Sequence, residues 1–260
     1  MKKTNILPLI IFASIFAIFF IYYQALNNTN WPFQGLSNEQ KGQFGDSFGA
    51  LSSLFSALGF GGVLLTIWYQ HKTIEKTNSR AELQQFESIL FQMLTTHNSI
   101  ISDIDIQSRA GGEVIFKGRD CFHRYYTKHL KPAYKRRKLD IPTASELETI
   151  CAAYETVWLR NRQNLGHYFR FIYNIFLFID TSEISATSKQ KYSRIVRSQI
   201  SDYELLMLFY NCLYKNGKEK FKPLVEKYSI FNNLPTELIL SKSHLSFYEN
   251  SAFTPTALPT

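Results

Sequence analysis

The sequence predicts an all-α protein, with an N-terminal two-helix transmembrane hairpin followed by a cytoplasmic helical domain. Two uncharged apolar stretches near the N-terminus are each within the roughly 17–25 residues that cross a bilayer as a helix. Beyond them, apolar residues recur at the three-and-four spacing of amphipathic helices, and no proline occurs between Pro142 and Pro223. We therefore divide the chain into a hairpin at 1–75, a helical domain at 76–250 and a loose tail at 251–260.

The two predicted membrane helices occupy about residues 6–23 and 48–69. The first, Ile6–Tyr23, ends in tyrosines and Gln24 rather than in a small-residue cleavage site, so we expect a retained helix and not a signal peptide. The second, Phe48–Tyr69, follows Asp46, which we expect to cap the helix. Lysine and arginine stay on the cytoplasmic side of membranes. Basic residues flank the pair on both outer sides, which predicts a multi-pass protein with both termini in the cytoplasm; they are Lys2, Lys3, Lys72, Lys76 and Arg80.

Small residues recur every four positions along the second helix and therefore share one face. They are Gly45, Gly49, Ser53, Ala57 and Gly61. Small residues let another helix backbone approach closely where water no longer drives association. The partner helix is either the chain's own first helix or another copy of the chain, and such patterns also arise by chance.

The domain begins with an amphipathic helix from Glu75 to about Ile104, which either continues the second membrane helix or hinges near Thr77 and Asn78. Paired glycines end this helix at 110–112. Strand-like alternation is weak except at 113–117. Long stretches of helical spacing follow, with breaks expected at 181–188, 216–217, Pro223 and Pro235.

The charge balance is basic, with 29 Lys and Arg against 21 Asp and Glu. The three cysteines are far apart and form no CxxC motif, which favours reduced thiols over a disulfide framework or a zinc site. No motif for a nucleophile or for metal ligands is present. We therefore expect no enzymatic activity, no cofactor, no structural metal and no small-molecule substrate.

A basic cluster lies at Lys117–Lys138, where Asp120 is the one acidic residue and tyrosines are interleaved with the cations. Cations that bind phosphates and rings that stack on bases suit a nucleic acid or a ribonucleoprotein. Anionic lipid is an alternative partner, and a solvated basic face with its tyrosines packed inward is the third interpretation. The candidate contact residues are Arg124, Tyr125, Tyr126, Lys128, Lys131, Lys135, Arg136 and Arg137.

Polar residues also occur within two strongly apolar helices of the domain. Unpaired buried charge is very costly, so these residues are expected to form a buried network if the two helices pack together. A ligand site is the alternative, and catalysis is disfavoured. The residues are His167, Arg170, Arg194, Arg197 and Glu204. His97, on the apolar face of the first domain helix, is expected to be a hydrogen-bonded core residue.

Four blocks of the chain, in this order, resemble the phage abortive-infection membrane proteins of bacteria. They are GDSFGALSSLFSALGFGGVLLTIWYQ, LGHYFRFIYNIFLFID, YSRIVRSQISDYELLMLFYNCL and KFKPLVEKYSIFNNLP, within about Gly45–Pro235. The chain is also similar to the two-transmembrane effectors of retron anti-phage systems.

The resemblance implies a toxic effector of the bacterial inner membrane that self-associates and perturbs the membrane. It further implies that a reverse transcriptase with its DNA–RNA hybrid holds the effector inactive until infection. No catalytic residue is implied. A membrane-anchored sensor or scaffold that binds nucleic acid or protein, without membrane-damaging activity, is the alternative. A nuclease is disfavoured because the domain has no acidic cluster for magnesium.

Overall fold

The structure is a computed structural model that describes residues 13–18, 20–21, 23–24, 35–107 and 114–254. The chain divides into two compact units, 1–77 and 78–260. The described residues are mostly helical, in agreement with the predicted class.

The first unit contains the beginning of a long helix, α1, at Asn38–Asp103. One helix of the described chain is long and apolar enough to cross a membrane; an 18-residue window within Ser52–Asp103 has a mean hydropathy of 1.4 and contains no buried residue. Half of the first predicted membrane helix, Ile6–Tyr23, lies outside the described residues. The described positions of that stretch are helical and exposed, and a two-helix hairpin is not shown.

Helix α1 begins well before the predicted start at Phe48, because Ser37 and Gln40 form a reciprocal cap. The Gln40 amide donates to the Ser37 hydroxyl at 3.3 Å, and the Ser37 amide donates to the Gln40 side chain at 3.0 Å. Asp46 therefore lies inside the helix, and the prediction that it caps the helix is wrong.

The C-terminal part of α1, residues 78–103, belongs to the second unit. The predicted amphipathic spacing is confirmed there, since Phe86, Leu90 and Ile101 are buried.

A small β-hairpin follows α1 and is a minor addition to the mostly helical chain. Strand β1 (Asp105–Gln107) pairs antiparallel with β2 (Val114–Lys117), with Ile106 opposite Phe116. β-Branched and aromatic residues favour strands, and the weak alternation at 113–117 marked the second strand. The glycines expected to end α1, at 111 and 112, lie outside the described residues.

The remaining chain forms short and long helices around α4 (Glu146–Thr181), which bends at Asn161 (φ −124°, ψ 15°). Serine side chains cap α4 and the next helix, α5 (Ala186–Arg197), at Ser145 and Ser185, and Ser201 opens α6 (Asp202–Asn211) with a capping box. The α-helices are α2 (Asp120–Arg124), α3 (Lys131–Asp140), α4 (Glu146–Thr181), α5 (Ala186–Arg197), α6 (Asp202–Asn211) and α7 (Lys222–Tyr228). π-Helical turns lie at Tyr125–Leu130 and Gly217–Phe221, and 3₁₀ turns at Ile230–Asn233, Lys242–Phe247 and Asn250–Ala252.

The core of the second unit is rich in aromatic rings, and it extends into the predicted loose tail. Ala252 is fully buried, and Phe253 lies against the rings of Phe231 and Tyr248. Residues 251–253 are therefore packed, which corrects the prediction for that part of the tail, whereas Thr254 is exposed. Residues 255–260 lie outside the described chain.

Candidate functional site

The first candidate site is the face of small residues on α1. Gly45, Gly49, Ser53 and Ala57 are exposed and Gly61 is half-buried. A Cβ atom added at any of the three glycines would meet no atom within 4 Å. No described element therefore packs on this face, and both predicted partners, the first helix and a second copy, stay predictions.

Two hydroxyl groups on this part of α1 form hydrogen bonds within the helix itself. Ser53 donates to the Gly49 carbonyl at 2.8 Å, and Thr66 donates to the Gly62 carbonyl at 2.8 Å. Polar groups in hydrocarbon need such partners because no water is available. Large apolar side chains such as Phe55 and Leu65 are exposed around them. This surface is suited to lipid and to a tightly packed helix.

The second candidate site is a groove between α3 and α4, of about 650 Å³. We call it the basic groove. Its cations come partly from the predicted cluster and partly from α4; they are Arg124, Lys128, Arg136, Arg137 and Arg160. The one acidic residue of the lining, Asp140, lies 3.7 Å from Arg136 as an i, i+4 pair. The groove therefore carries excess positive charge and is suited to phosphate groups.

The tyrosines of the basic cluster do not line this groove. Tyr125 and Tyr126 are buried, and the Tyr126 hydroxyl donates to the Leu238 carbonyl. Burial raises the pKa of both phenols. The prediction that these two rings contact a nucleic acid is therefore wrong for this structure, because the π-helical turn directs them into the core. Lys131 and Lys135 are exposed but lie outside the groove lining.

The predicted polar network is largely replaced by a different one, centred on Glu204. This carboxylate is fully buried and accepts from Arg119 at 3.1 Å, from the Tyr168 hydroxyl at 2.9 Å and from the Ser201 amide at 3.0 Å. Arg119 also donates to the Gln199 carbonyl at 2.9 Å. The arrangement caps α6 and holds it against α2 and α4, so its role is structural.

The other predicted network residues take separate positions. His167, Arg170 and Arg194 are exposed, so their placement in a buried network was wrong. Arg197 is buried but donates to the Ser229 carbonyl at 2.7 Å rather than to Glu204. Arg119 was missed because it lies far from α6 in sequence, and only the fold brings the two together.

His97 is buried between the rings of Tyr168 and Phe171, and neither of its ring nitrogens has a hydrogen-bond partner. The prediction of a hydrogen-bonded core histidine is therefore wrong. Burial, assisted by the positive charge of Arg119, lowers the pKa of His97 to about 4. The ring is therefore neutral at pH 7 and is packed between aromatic rings.

Metal ligands are not brought together in the part of the chain that the structure describes, where no group of three or more His, Cys, Asp or Glu could hold an ion. The three cysteines are free thiols. Cys121 and Cys212 are buried and Cys151 is half-buried.

Comparison with known families adds one finding. Residues 160–239 match the model of the family described as "Putative phage abortive infection protein". The matched segment covers most of α4 and extends past α7, and it confirms the family resemblance of the sequence. The match indicates a role in defence against phage. No curated protein and no solved structure matches the chain.

Proposed function

Because residues 160–239 carry the abortive-infection match, we propose that this chain is a membrane effector that permeabilises the bacterial inner membrane when phage infection activates it. The observation that carries the proposal is the face of small residues on α1, open in the described structure and set among exposed apolar side chains. The proposed effector acts by assembly rather than by catalysis.

Assembly through this face follows from how helices associate in lipid. Lipid tails are as apolar as leucine, so close van der Waals packing, rather than the hydrophobic effect, brings helices together. Gly49, Ser53 and Gly61 present little side chain and let a second backbone approach. Copies that associate in this way would bring their cytoplasmic domains together and open a leak between helices.

We further propose that a reverse transcriptase with its DNA–RNA hybrid is the inhibitory partner. The basic groove supports this proposal, because five cations against one paired carboxylate would attract a phosphate backbone. The partner would hold subunits apart, and its loss or alteration during infection would release them.

The membrane activity is tested in cells that express the chain alone, with a voltage-sensitive dye and propidium iodide. Gly49→Leu and Gly61→Leu should abolish depolarisation while the protein stays in the membrane fraction. Gly62→Leu is the matched control, because at about 100° per residue Gly62 lies roughly opposite Ser53 on the helix. It adds the same bulk on the other face and should leave depolarisation intact.

Depolarisation that survives both test substitutions would contradict assembly through this face. Equal loss in all three variants would point to impaired insertion rather than to a specific face. No depolarisation by the wild-type chain, with normal growth, would favour the alternative of a membrane-anchored sensor or scaffold.

The groove is tested separately by binding of a DNA–RNA hybrid to the purified full chain in detergent. The double variant Arg137→Gln, Arg160→Gln should bind the hybrid more weakly. The slope of log affinity against log salt concentration should also become smaller by about two. Lys131→Gln with Lys135→Gln is the control, since these exposed cations lie outside the groove. Equal effects of the two pairs would contradict a role for the groove.

A further inference from the structure

A second cavity, of about 900 Å³, lies in the second unit between α4 and the turn at 214–221. We call it the aromatic cavity. On α4 its lining follows one face at four-residue spacing, with Trp158, Arg162, Gly166 and Arg170. All of its lining residues except Trp158 fall within the segment that matches the abortive-infection family. Its volume is within the roughly 300–1,000 Å³ typical of small-molecule sites.

The lining of the cavity carries an excess of positive charge. Four cations line it, Arg162, Arg170, Lys215 and Lys220, and no lining residue is acidic. Lys215 is paired with Glu155 at 2.8 Å. Among the described residues, no ion pair forms with the other three cations. They are therefore available to an anion.

Arg170 is already oriented for such a role. Its Nε donates to the Gly166 carbonyl at 3.0 Å, one turn earlier on α4. This bond uses only Nε and leaves the two terminal nitrogens of the exposed guanidinium group for a ligand. Arginine presents paired donors to phosphate oxygens and keeps its charge at all physiological pH values.

Aromatic rings form the apolar wall of the cavity. Trp158 and Tyr173 are half-buried, so part of each ring faces the open space. The Trp158 indole lies over Gly166, where an added Cβ atom would be in ordinary van der Waals contact with the indole Cη2 at 3.5 Å. Stacking of a nucleotide base on such a surface increases the affinity, and it does so for every base because each base has a flat π-face.

The opposite wall is held in a fixed shape. A Cβ atom at Gly217 would lie 2.2 Å from the Asn211 carbonyl oxygen, so the turn at this point requires glycine. Lys215 adopts a left-handed backbone conformation (φ 39°), and the Asn211 side chain donates to the buried Tyr154 hydroxyl at 2.9 Å. Because the wall is preorganised, ligand binding does not carry the free-energy cost of ordering it.

We propose that the aromatic cavity binds a nucleotide, either free or at the end of a single-stranded nucleic acid. The base stacks against Trp158, and the phosphates are held by Arg162, Arg170 and Lys220. The site is distinct from the basic groove, with which it shares no lining residue. It does not depend on the proposed membrane activity.

The test is titration of the purified full chain in detergent with the four ribonucleoside triphosphates, their monophosphates and a short oligothymidylate. Calorimetry gives the affinity, and quenching of Trp158 fluorescence reports stacking when Trp31 and Trp68 are replaced by phenylalanine. Binding of mononucleotides identifies a free nucleotide as the ligand. Binding of the oligonucleotide alone identifies a strand end.

Two variants decide whether the ligand lies in the cavity. Arg162→Gln and Lys220→Gln should each weaken binding about tenfold, as expected for loss of a charge-assisted hydrogen bond. Arg194→Gln removes an equally exposed cation outside the cavity and should leave the affinity unchanged. Far-UV circular dichroism establishes that all three variants are folded.

Three results would overturn the proposal. The first is failure of the wild-type chain to bind any of these probes at millimolar concentration. The second is binding that Arg162→Gln and Lys220→Gln leave unchanged. The third is binding by inorganic phosphate as strong as that of the nucleotides with no quenching of Trp158, which would show an anion site without a base contact.

Discussion

Replacement of His97 by leucine should stabilise the protein and remove a large part of its sensitivity to mild acid. The imidazole is buried with both nitrogens unpaired. A buried polar group without a partner costs about 1–3 kcal/mol. Leucine has a similar volume and no polar atom. His97→Leu should therefore raise the free energy of unfolding at pH 7 by roughly that amount.

The pH dependence of His97 follows from its shifted pKa. The native protein holds the pKa at about 4, whereas the unfolded chain has the ordinary value of 6.5. Below pH 6.5 the unfolded chain binds a proton at this position more readily than the native protein does. The contribution of His97 to the free energy of unfolding is therefore fully present above pH 6.5 and is lost as the pH falls towards 4. Between pH 7 and pH 5 the loss amounts to about 2 kcal/mol.

Urea titrations of the wild-type chain and His97→Leu, at pH 7 and pH 5 in detergent, measure this loss. Trp158 fluorescence follows unfolding of the second unit when the other two tryptophans are replaced by phenylalanine. Other groups also contribute to the pH dependence, including His244, whose pKa is lowered by burial. They act equally in both proteins, so the difference between the two pH dependences isolates His97. Identical pH dependences in the two proteins would refute the reasoning.

Further predictions concern the Glu204 network, the turn at Gly217 and the thiols. Arg119→Ala, which removes the charged partner of a buried carboxylate, should lower the free energy of unfolding by about 2 kcal/mol in a urea titration. Gly217→Ala should cost about 2 kcal/mol in the same assay, because its methyl group would overlap the Asn211 carbonyl. Cys151, the half-buried thiol, should react first with a maleimide in the native chain, and all three thiols should react in urea.

Periodicity predicted the fold better than it predicted the partners of polar side chains. The buried positions of α1, such as Leu90 and Ile101, follow from three-and-four spacing. The start of α1 was misplaced because the prediction began where apolar residues begin. The cap at Ser37 and Gln40 lies in a polar segment and sets the helix start instead.

Polar contacts were predicted poorly because they depend on residues far apart in sequence. Glu204 was expected to pair with cations on a neighbouring helix, yet its charged partner is Arg119, from the turn before α2. His97 shows a second limit: spacing indicates that a residue is buried but not whether a donor or acceptor lies beside it. The inward orientation of Tyr125 and Tyr126 was one of three interpretations that composition alone left open.

Helix α4 lines both cation-rich cavities, and this arrangement allows the two binding proposals to be separated. Arg160 lines the basic groove, whereas Arg162 lines the aromatic cavity. The two residues lie on either side of the bend at Asn161, and the two cavities that they line have no lining residue in common. Arg160→Gln should weaken binding of a DNA–RNA hybrid without changing nucleotide affinity, and Arg162→Gln should have the reverse effect. A variant that weakens both by the same factor would mean that one extended ligand contacts both cavities, or that the bend at Asn161 couples them.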